Sequence, residues 1–412
     1  MKRLLSTAAA VTLLAPAAHA TEIEVAYAYS SLFDPTFAQI TQAFEQAHPD
    51  IKVTFRATYE NYEDATNTIL REAVAGTVPD VSFQALNRQQ ILVERGIAQP
   101  LDPFIAGEEG FETEGYHKAM LDLSRFDGAI YGLPFSVSTP IGFYNMDMLR
   151  GAGIDTVPAT WDAVIAACKA MTANGQEALY WHWDISGNWM LQAEMWSQGV
   201  PMIKDGKLNM DNDAGLKALE TAHAIFRDCE MKNTGGGDAS KAFAAGELGM
   251  FFSSTAYVSF VDRSKLGDWE FVTAPYPGLD GTPQALPAGG NAAMMTSASD
   301  DPELRAAAWD FIKFATSGEG AAAVALTTGY VPPNQKANAL LMDDFYAQNP
   351  NKMTAVDQLP LLSEWFAYPG DNGLAVTQVI HDSLEAILVG DATDMEELRD
   401  EMVDEVNALL PR

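Results

Sequence analysis

The sequence predicts an α/β protein built of two lobes, with segments of chain that cross between them. Three observations lead to this fold class. Strand patterns alternate with helical patterns, which is typical of βαβ units and a mostly parallel sheet. The chain has 412 residues, too many for one hydrophobic core. The stretch 126–145 places two prolines, Pro134 and Pro140, in an otherwise strand-like pattern.

Residues 1–20 have the pattern of a signal peptide and are left out of the fold. Lys2 and Arg3 form a charged start, an apolar run follows, and Ala18-His19-Ala20 matches a cleavage site. The apolar run is too short for a helix that spans a bilayer. An uncleaved anchor is the alternative. We expect an exported protein of about 390 residues, located in the periplasm.

The first lobe begins with strand patterns at residues 23–29, 51–56 and 80–85. Helical patterns lie between them at residues 37–48 and 59–75, where apolar residues recur every three or four positions. Ligands of parallel sheets bind beyond the carboxyl ends of the strands. The loops to inspect are therefore residues 30–35, 59–62 and 86–89.

The proline-bounded stretch is predicted to pass from one sheet to another. Proline cannot donate a hydrogen bond to a strand ladder, so it is disfavoured in strand interiors. Residues 286–295 and 329–334 have related patterns and are predicted as the second and third crossings. We assign residues 21–136 plus 288–333 to an N-terminal lobe. Residues 137–287 plus 334–412 form the C-terminal lobe.

The second lobe repeats the alternation of helices and strands. Thr160 is the predicted N-cap of a helix. The other predicted elements are strands at 178–183, 249–255 and 268–275, helices at 187–196, 214–227, 240–245 and 302–316, an acidic helix from Met395, and a flexible loop at Gly235-Gly236-Gly237.

Charge and cysteine content exclude some classes of partner. The formal net charge is −31, or −33 once Lys2 and Arg3 leave with the leader, and we find no basic patch. Such a surface repels nucleic acid and anionic lipid.

The only cysteines are Cys168 and Cys229; an oxidising compartment permits a disulfide, but their helical patterns do not place them in contact. Neither has a second ligand at metal-binding spacing, so no metal site is predicted.

The sequence contains no convincing catalytic set. Zinc-protease, serine-hydrolase and phosphate-loop motifs are absent, and His182, between two tryptophans, fits packing better than catalysis. The 56 aspartates and glutamates are enough to supply a pair of catalytic carboxylates. We therefore predict no catalytic residue, no cofactor and no enzyme. A secreted glycoside- or phosphodiester-hydrolase is the alternative.

A cluster of tryptophans favours ligand binding instead. Aromatic faces beside a few polar groups suit sugars and other polyols. We expect one or two of these tryptophans, including Trp189, to contact a ligand and the rest to be core. The five are Trp161, Trp181, Trp183, Trp189 and Trp196.

Five segments together resemble a known family. They are residues 59–63 (YENYE), 134–145 (PFSVSTPIGFYN), 242–250 (AFAAGELGM), 289–292 (GGNA) and 328–332 (TGYVP). In this order, the chain resembles the extracellular solute-binding proteins of family 1, which serve ABC importers, and within them the glycerol-3-phosphate-binding periplasmic proteins. The resemblance implies a periplasmic-binding-protein-like fold, with two α/β lobes, three hinge crossings and a ligand cleft between the lobes.

The resemblance also implies where a ligand is contacted. Tyr62 would stack on or hydrogen-bond a polyol, while Ser138 and Ser254 would donate to phosphate or hydroxyl oxygens. Gly290 would offer a backbone N–H at close approach, and Tyr330 would reach in from the third crossing.

Two positions depart from the family's pattern. The acidic residue expected after the third strand falls near Leu86, and the arginine expected late in the chain falls near Thr377 or Gln378. Loss of a bidentate phosphate partner leaves glycerol-3-phosphate open as the ligand. Arg88 is a candidate substitute, with an ordinary surface residue as the alternative.

These inferences predict the substrate-binding component of an ABC importer. The expected ligand is a sugar, a polyol or a glycerophosphate, and the expected partner is the transmembrane permease. We expect a monomer that binds no nucleic acid. A binding module without transport, such as a chemoreceptor ligand, is a further alternative.

Overall fold

The structure, a computed structural model, describes residues 20–116, 118–279, 281–296 and 299–411. Two main β-sheets mark two α/β lobes, which confirms the predicted fold class. Nine strands form these sheets: β1 (Thr21–Ala26), β2 (Ile51–Phe55), β3 (Val81–Ala85), β4 (Gly132–Ser138), β5 (Pro140–Asn145), β6 (Glu177–Trp181), β7 (Leu248–Ser254), β8 (Phe271–Pro275) and β9 (Gly289–Met295).

The sheet of the first lobe has the strand order β2-β1-β3-β9-β4. Strand β1 is parallel to β2 and β3, whereas β9 is antiparallel to both β3 and β4. The sheet is therefore mixed, and the prediction of a mostly parallel sheet is wrong for its second half. The βαβ alternation continues only through β3. Strands β4 and β9 come from later in the chain and run antiparallel to each other.

The sheet of the second lobe has the order β8-β5-β7-β6. Strand β5 is antiparallel to both β7 and β8, and β7 is parallel to β6.

Helices cover the faces of both sheets. Those of eight residues or more are α1 (Ser30–Ala47), α2 (Tyr62–Ala75), α3 (Trp161–Ala173), α4 (Trp189–Ser197), α5 (Asp213–His223), α6 (Gly236–Ala244), α7 (Pro302–Thr316), α8 (Gly318–Thr327), α9 (Pro350–Asp357), α10 (Gly373–Val389) and α11 (Met395–Leu409). Shorter helical segments are Leu86–Arg88, Gln89–Glu94, Asp102–Ile105, Phe111–Thr113, Lys118–Asp122, Met146–Gly151, Ser186–Asn188, Ala224–Asp228, Thr255–Tyr257, Val258–Ser264, Gln335–Leu341, Met342–Tyr346 and Leu359–Leu361. Short strand pairs join Arg125–Phe126 to Ala129–Ile130, Ile203–Lys204 to Lys207–Leu208, and Leu286–Pro287 to Leu362–Ser363.

Local chemistry accounts for several helix starts that the sequence misplaced. Helix α1 begins directly after Tyr29, whose backbone is left-handed at φ 62°. Residues 30–35 are thus helical and not the predicted loop, because Phe33 and Phe37 are buried from this helix and outweigh the cost of Pro35. Gly236 and Gly237 lie in the first turn of α6 and not in a flexible loop.

The chain passes between the lobes at Thr139, the single residue between β4 and β5. Pro134 is tolerated in β4 because this strand is at the edge of its sheet, where the register shifts opposite Asn291. The first sheet continues through Ser138. A second passage lies at Ala288, between the short strand Leu286–Pro287 and β9.

The segment predicted as the third crossing, residues 329–334, lies against the first sheet. Val331 exchanges both backbone hydrogen bonds with Val137 of β4. The following helix, Gln335–Leu341, still packs on α8 through Ala337 and Leu341, whereas α9 packs against β8. Packing against the first lobe therefore continues past residue 333.

Cys168 of α3 and Cys229 form a disulfide, with their Cα atoms 5.5 Å apart. The two cysteines, whose pairing the sequence leaves open, are therefore bonded to each other in the structure. Among the described residues, no helix is long and apolar enough to cross a membrane.

Candidate functional site

A cleft of about 580 Å³ lies between the two lobes, beside the crossings. Residues from both lobes line it. The aromatic ones are Tyr29, Tyr62, Trp189, Tyr257, Tyr330 and Trp365; the hydroxyl and amide ones include Asn61, Ser138, Ser186, Asn188, Ser254, Thr377 and Gln378; the titratable ones are Glu60, Glu63, His182, Asp184 and His381.

Tyr62 is positioned by the start of α2. Asn61 caps this helix, its side-chain oxygen accepting from the backbone N–H of Asp64 at 2.8 Å. The Tyr62 hydroxyl accepts a hydrogen bond from the Asn291 amide of β9 at 3.1 Å. Its ring packs edge-on against Tyr29, with the ring centroids 4.9 Å apart. Burial raises the pKa of Tyr62, so the phenol keeps its proton and can donate it.

Tyr330 follows α8 and approaches the same point. Its ring stacks on Phe33 of α1 with the ring centroids 5.5 Å apart. Burial, followed by the nearby Tyr62, raises the pKa of Tyr330 well above its ordinary value. The phenols of these two residues are therefore neutral donors that meet in the cleft.

Trp189 begins α4 and is held by the second crossing. Its indole N–H donates to the carbonyl oxygen of Ala288 at 3.3 Å. A Cβ at position 289 would fall against the Trp189 ring and the Ser138 hydroxyl, so Gly289 lets all three groups meet. The Trp365 ring lies 6.2 Å from that of Trp189 and forms a second aromatic face.

Gly290 is required by its backbone. Its φ of 115° disfavours residues with a side chain, and a Cβ there would clash with the carbonyl group of Ser136. Ser254, at the end of β7, accepts from the backbone N–H of Ala256 at 3.1 Å, which leaves its own proton available to the cleft. Thr139 accepts from the Gln358 amide at 2.8 Å, so its side chain joins the crossing to the second lobe.

The two lobes contact each other across the cleft. Ser186 of the second lobe donates to Glu63 of α2 at 2.7 Å, and its hydroxyl lies 3.1 Å from that of Tyr29. An ion pair between Arg95 and Asp371, 2.6 Å apart, joins the lobes outside the cleft. The structure is therefore a closed arrangement.

His182 is buried at the second-lobe side of the cleft. Its Nδ1 atom lies 2.6 Å from the Ser253 hydroxyl, and its Nε2 atom lies 3.6 Å from the Asp184 carboxylate. Burial lowers the pKa of His182 despite that carboxylate, so the ring is neutral at pH 7.

Arg88 does not line the cleft, which is a correction to its predicted place opposite a phosphate. Its guanidinium donates to the Glu63 carboxylate at 2.9 Å and to the Thr377 hydroxyl at 3.4 Å. Arg88 is only 5% exposed, so the surface alternative is also wrong. Its charge is already opposed by Glu63, and its position lies behind that side chain.

The structure brings six of the seven predicted residues into one cleft; Arg88 is the exception. Of the five clustered tryptophans, only Trp189 lines it, while Trp161 and Trp181 are buried in the hydrophobic core of the second lobe. Sequence reasoning missed Tyr29, Tyr257, Trp365 and Asp184. Tyr29 lies three residues beyond the end of β1, in the region where ligands of parallel sheets bind, which is a signal that the sequence offers; Trp365 carries no comparable signal.

Among the residues that the structure describes, one group of side chains has the spacing of metal ligands. His381, Asp382 and Glu385 of α10 have ligand atoms within 4.8 Å of one another, and the two carboxylates are exposed. Exposed acidic groups of this kind are common without an ion, so the group supports no metal site.

Comparison with known proteins identifies similar chains over almost the full length. The family model described as bacterial extracellular solute-binding protein matches residues 39–355. The sn-glycerol-3-phosphate-binding periplasmic protein UgpB of Rhizobium meliloti is 23% identical over 418 residues, covering 95% of this chain and 94% of the relative. The lactose-binding protein of Rhizobium radiobacter is 26% identical over 329 residues, covering 74% and 73%.

Two solved structures show the same fold. UgpB of Mycobacterium tuberculosis in complex with glycerophosphocholine has a TM-score of 0.82 at 21% identity, covering 95% of this chain and 98% of that one. Maltose-bound MalE3 of T. maritima has a TM-score of 0.80 at 21% identity, covering 95% and 100%.

Proposed function

The chain belongs to the bacterial extracellular solute-binding protein family, and we propose that it captures a sugar-like, polyhydroxylated solute for an ABC importer. One observation carries this proposal: six aromatic side chains and several hydroxyls, contributed by both lobes, line one cleft. Aromatic faces cover the apolar faces of sugar rings, while hydroxyl and amide groups bond the sugar hydroxyls.

We assign the ligand contacts to Tyr62, Ser138, Trp189, Ser254, Gly290 and Tyr330. Strand β7 and helix α4 of the second lobe carry Ser254 and Trp189, and α2 of the first lobe carries Tyr62. A solute between the lobes touches both sets only when the lobes are closed. These differential contacts would shift the equilibrium toward closure.

The charge of the cleft favours a sugar over a phosphomonoester. Within the described part of the chain, no lysine or arginine lines the cleft, and Thr377 and Gln378 occupy the region where the resembled family carries its arginine. A phosphate dianion would meet Glu60, Glu63 and Asp184 without a bidentate cationic partner. The relatives' printed solutes include lactose and sn-glycerol-3-phosphate; the first fits these residues better.

We propose that the protein is not an enzyme, needs no cofactor and acts as a monomer. The family and the structural relatives are binding proteins, which gives the hydrolase alternative no support. The net charge of −31 argues against nucleic acid as a partner.

The location we propose is the periplasm, after removal of residues 1–20. The family is extracellular, and the disulfide between Cys168 and Cys229 suits an oxidising compartment. The proposed partner is the permease of an ABC importer. A permease gene beside the gene for this chain would separate transport from binding alone.

A thermal-shift panel tests the proposed function. Lactose, maltose, cellobiose and glycerol-3-phosphate are added to the purified mature chain. At a concentration of a hundred times Kd, the right solute should stabilise the protein by about 2.7 kcal/mol. The sugars, and not glycerol-3-phosphate, are expected to do so.

The matched variants are Trp189→Phe and Trp309→Phe. Both tryptophans are buried and donate from the indole, Trp189 to Ala288 in the cleft and Trp309 to Glu108 in the first lobe. Trp189→Phe should reduce ligand stabilisation, and Trp309→Phe should not. Equal effects of the two variants, or no stabilisation by any sugar, would overturn the proposal.

A further inference from the structure

Among the described residues, the cleft contains one carboxylate away from its exposed rim that neither a lysine nor an arginine balances. Three carboxylates line the cleft, from Glu60, Glu63 and Asp184. Glu60 lies at the exposed rim, and Glu63 is paired with Arg88 at 2.9 Å. Asp184 remains, at the second-lobe side of the cleft, with about a quarter of its side chain exposed.

The partners of Asp184 are neutral. Its Oδ1 atom accepts from the Tyr180 hydroxyl at 2.7 Å, and its Oδ2 atom from the backbone N–H of Gly236 at 3.4 Å. Its only ion-pair partner among the described residues is His182, at 3.6 Å. That ring is uncharged, because burial lowers the pKa of His182.

An uncharged solute that fills the closed cleft would shield this carboxylate further from water. Buried charges are costly unless they are paired and hydrogen-bonded. A positively charged group on the solute removes that cost and gains a charge-assisted hydrogen bond. A neutral solute does neither.

Aromatic rings close to Asp184 suit the same kind of group. Tyr257 lines this part of the cleft, and its ring lies 5.7 Å from that of His182. After burial, the charge of Asp184 is the next cause that raises the pKa of Tyr257 to about 12, so the phenol lies within the field of the carboxylate. An ammonium group against an aromatic face gains cation–π attraction.

We propose that the solute carries a protonated amino group, as an amino sugar does, and that Asp184 binds this group. The inference rests on the proposed function, since it names the class of sugar-like solute that the same cleft selects. Asp184 then determines specificity between solutes that share a carbohydrate skeleton.

Three disaccharides with one skeleton test the proposal. The β-1,4-linked dimer of glucosamine carries amines, its N-acetylated form carries neutral amides, and cellobiose carries hydroxyls. Titration calorimetry at pH 6.5 gives Kd for each with the purified mature chain. The amine should bind at least about tenfold more tightly than cellobiose, the increment expected of one charge-assisted hydrogen bond.

Asp184→Asn should reduce the ratio of the two Kd values to within about twofold, because it removes the charge and keeps the shape. Asp147→Asn is the control: it makes the same change of net charge at an exposed residue that lies outside the cleft and pairs with Arg150. It should keep the wild-type ratio.

The outcomes separate this inference from the proposed function. If cellobiose or the acetylated dimer binds as tightly as the amine, the solute class is wrong while sugar capture stands. If Asp184→Asn keeps the wild-type preference, Asp184 is not the group that binds the amine. If no sugar of any class binds, both proposals fall.

Discussion

Tyr62 shows how one residue meets the demands of fold and site together. It is the first residue of α2, so the Asn61 cap sets its backbone. Its hydroxyl joins α2 to Asn291 of β9, and its ring packs against Tyr29 and Trp365. Only the hydroxyl is expected to bond the solute, so its removal tests binding apart from packing.

Tyr62→Phe should therefore raise Kd for the solute about tenfold, the effect of one lost hydrogen bond, while the protein stays folded. Tyr144→Phe is the matched control, because Tyr144 is equally buried but donates to Pro158 inside the second lobe. Titration calorimetry measures both. A larger effect of Tyr144→Phe than of Tyr62→Phe would remove Tyr62 from the site.

Glu194 is a buried acid that we expect to make the free energy of unfolding depend on pH. Its carboxyl accepts from the Tyr276 hydroxyl at 2.5 Å, and burial raises its pKa from 4.5 to about 8. The folded protein thus holds a proton that the unfolded chain releases above about pH 4.5. The contribution of this proton to the free energy of unfolding is complete below about pH 4.5 and is lost as the pH rises to about 8.

The free energy of unfolding should accordingly fall between pH 5 and 8, by up to about 1.4 kcal/mol per unit from this group. Glu194→Gln should flatten that part of the profile, as measured by urea unfolding. Glu108→Gln is the contrasting variant. Lys313 lowers the pKa of Glu108, so this carboxyl changes the free energy of unfolding at acidic pH and not between pH 5 and 8. An unchanged slope in Glu194→Gln would contradict the assignment.

At the scale of elements, strand β9 organises the site. It is the only strand among the described ones that pairs with both β3 and β4, and it begins at the second crossing. Its first two residues are Gly289, which allows Trp189 and Ser138 to approach the backbone, and Gly290, which allows the Ser136 carbonyl group to do so. The same strand supplies Asn291 to Tyr62. A substitution at the start of β9 should therefore affect ligand binding before it affects the rest of the fold.

Gly289→Ala should displace Trp189 and abolish most ligand-induced stabilisation, because the new methyl group would occupy the place of the indole edge. The control is Gly151→Ala in the helix Met146–Gly151, where a Cβ meets only the Gln176 amide at 3.6 Å. That variant should keep the full ligand-induced shift. Thermal unfolding with and without solute measures both, and full stabilisation in Gly289→Ala would argue against the assigned role of Trp189.

The sequence predicted the elements where local signals are strong. Helix α7 was predicted with its observed bounds, because Pro302 and the periodic apolar residues mark it clearly. Helix α1 was started too late, because burial of Phe33 overrides the break that Pro35 predicts. The mixed first sheet was missed, since pairing between β3 and β9 joins residues more than two hundred positions apart.

The candidate site was also predictable only in part, because some of its residues come together only through contacts between distant parts of the sequence. Tyr62, Ser138 and Gly290 lie in segments with recognisable motifs. Trp365 reaches the cleft from a segment without regular structure, and nothing local marks it. Arg88 was placed by charge alone, but the position of Glu63, twenty-five residues away, decides where its guanidinium points.

At the scale of the whole molecule, capture of the solute depends on closure of the two lobes around it. The cross-lobe contacts of Ser186 with Glu63 and of Arg95 with Asp371 form only when the lobes meet. Exposed ion pairs are worth about 0–1 kcal/mol each, so the Arg95 pair cannot hold the lobes closed alone. The solute must supply the remaining free energy through contacts with both lobes.

Small-angle X-ray scattering tests this claim most directly. The radius of gyration of the purified mature chain is measured alone and with the sugar that stabilises it most in the thermal-shift panel. Capture between the lobes predicts that the sugar reduces the radius of gyration of the wild type and of the Trp309→Phe control. At equal sugar concentration, the reduction should be smaller for Trp189→Phe than for the wild type. A bound sugar that leaves the wild-type radius unchanged would contradict capture between the lobes.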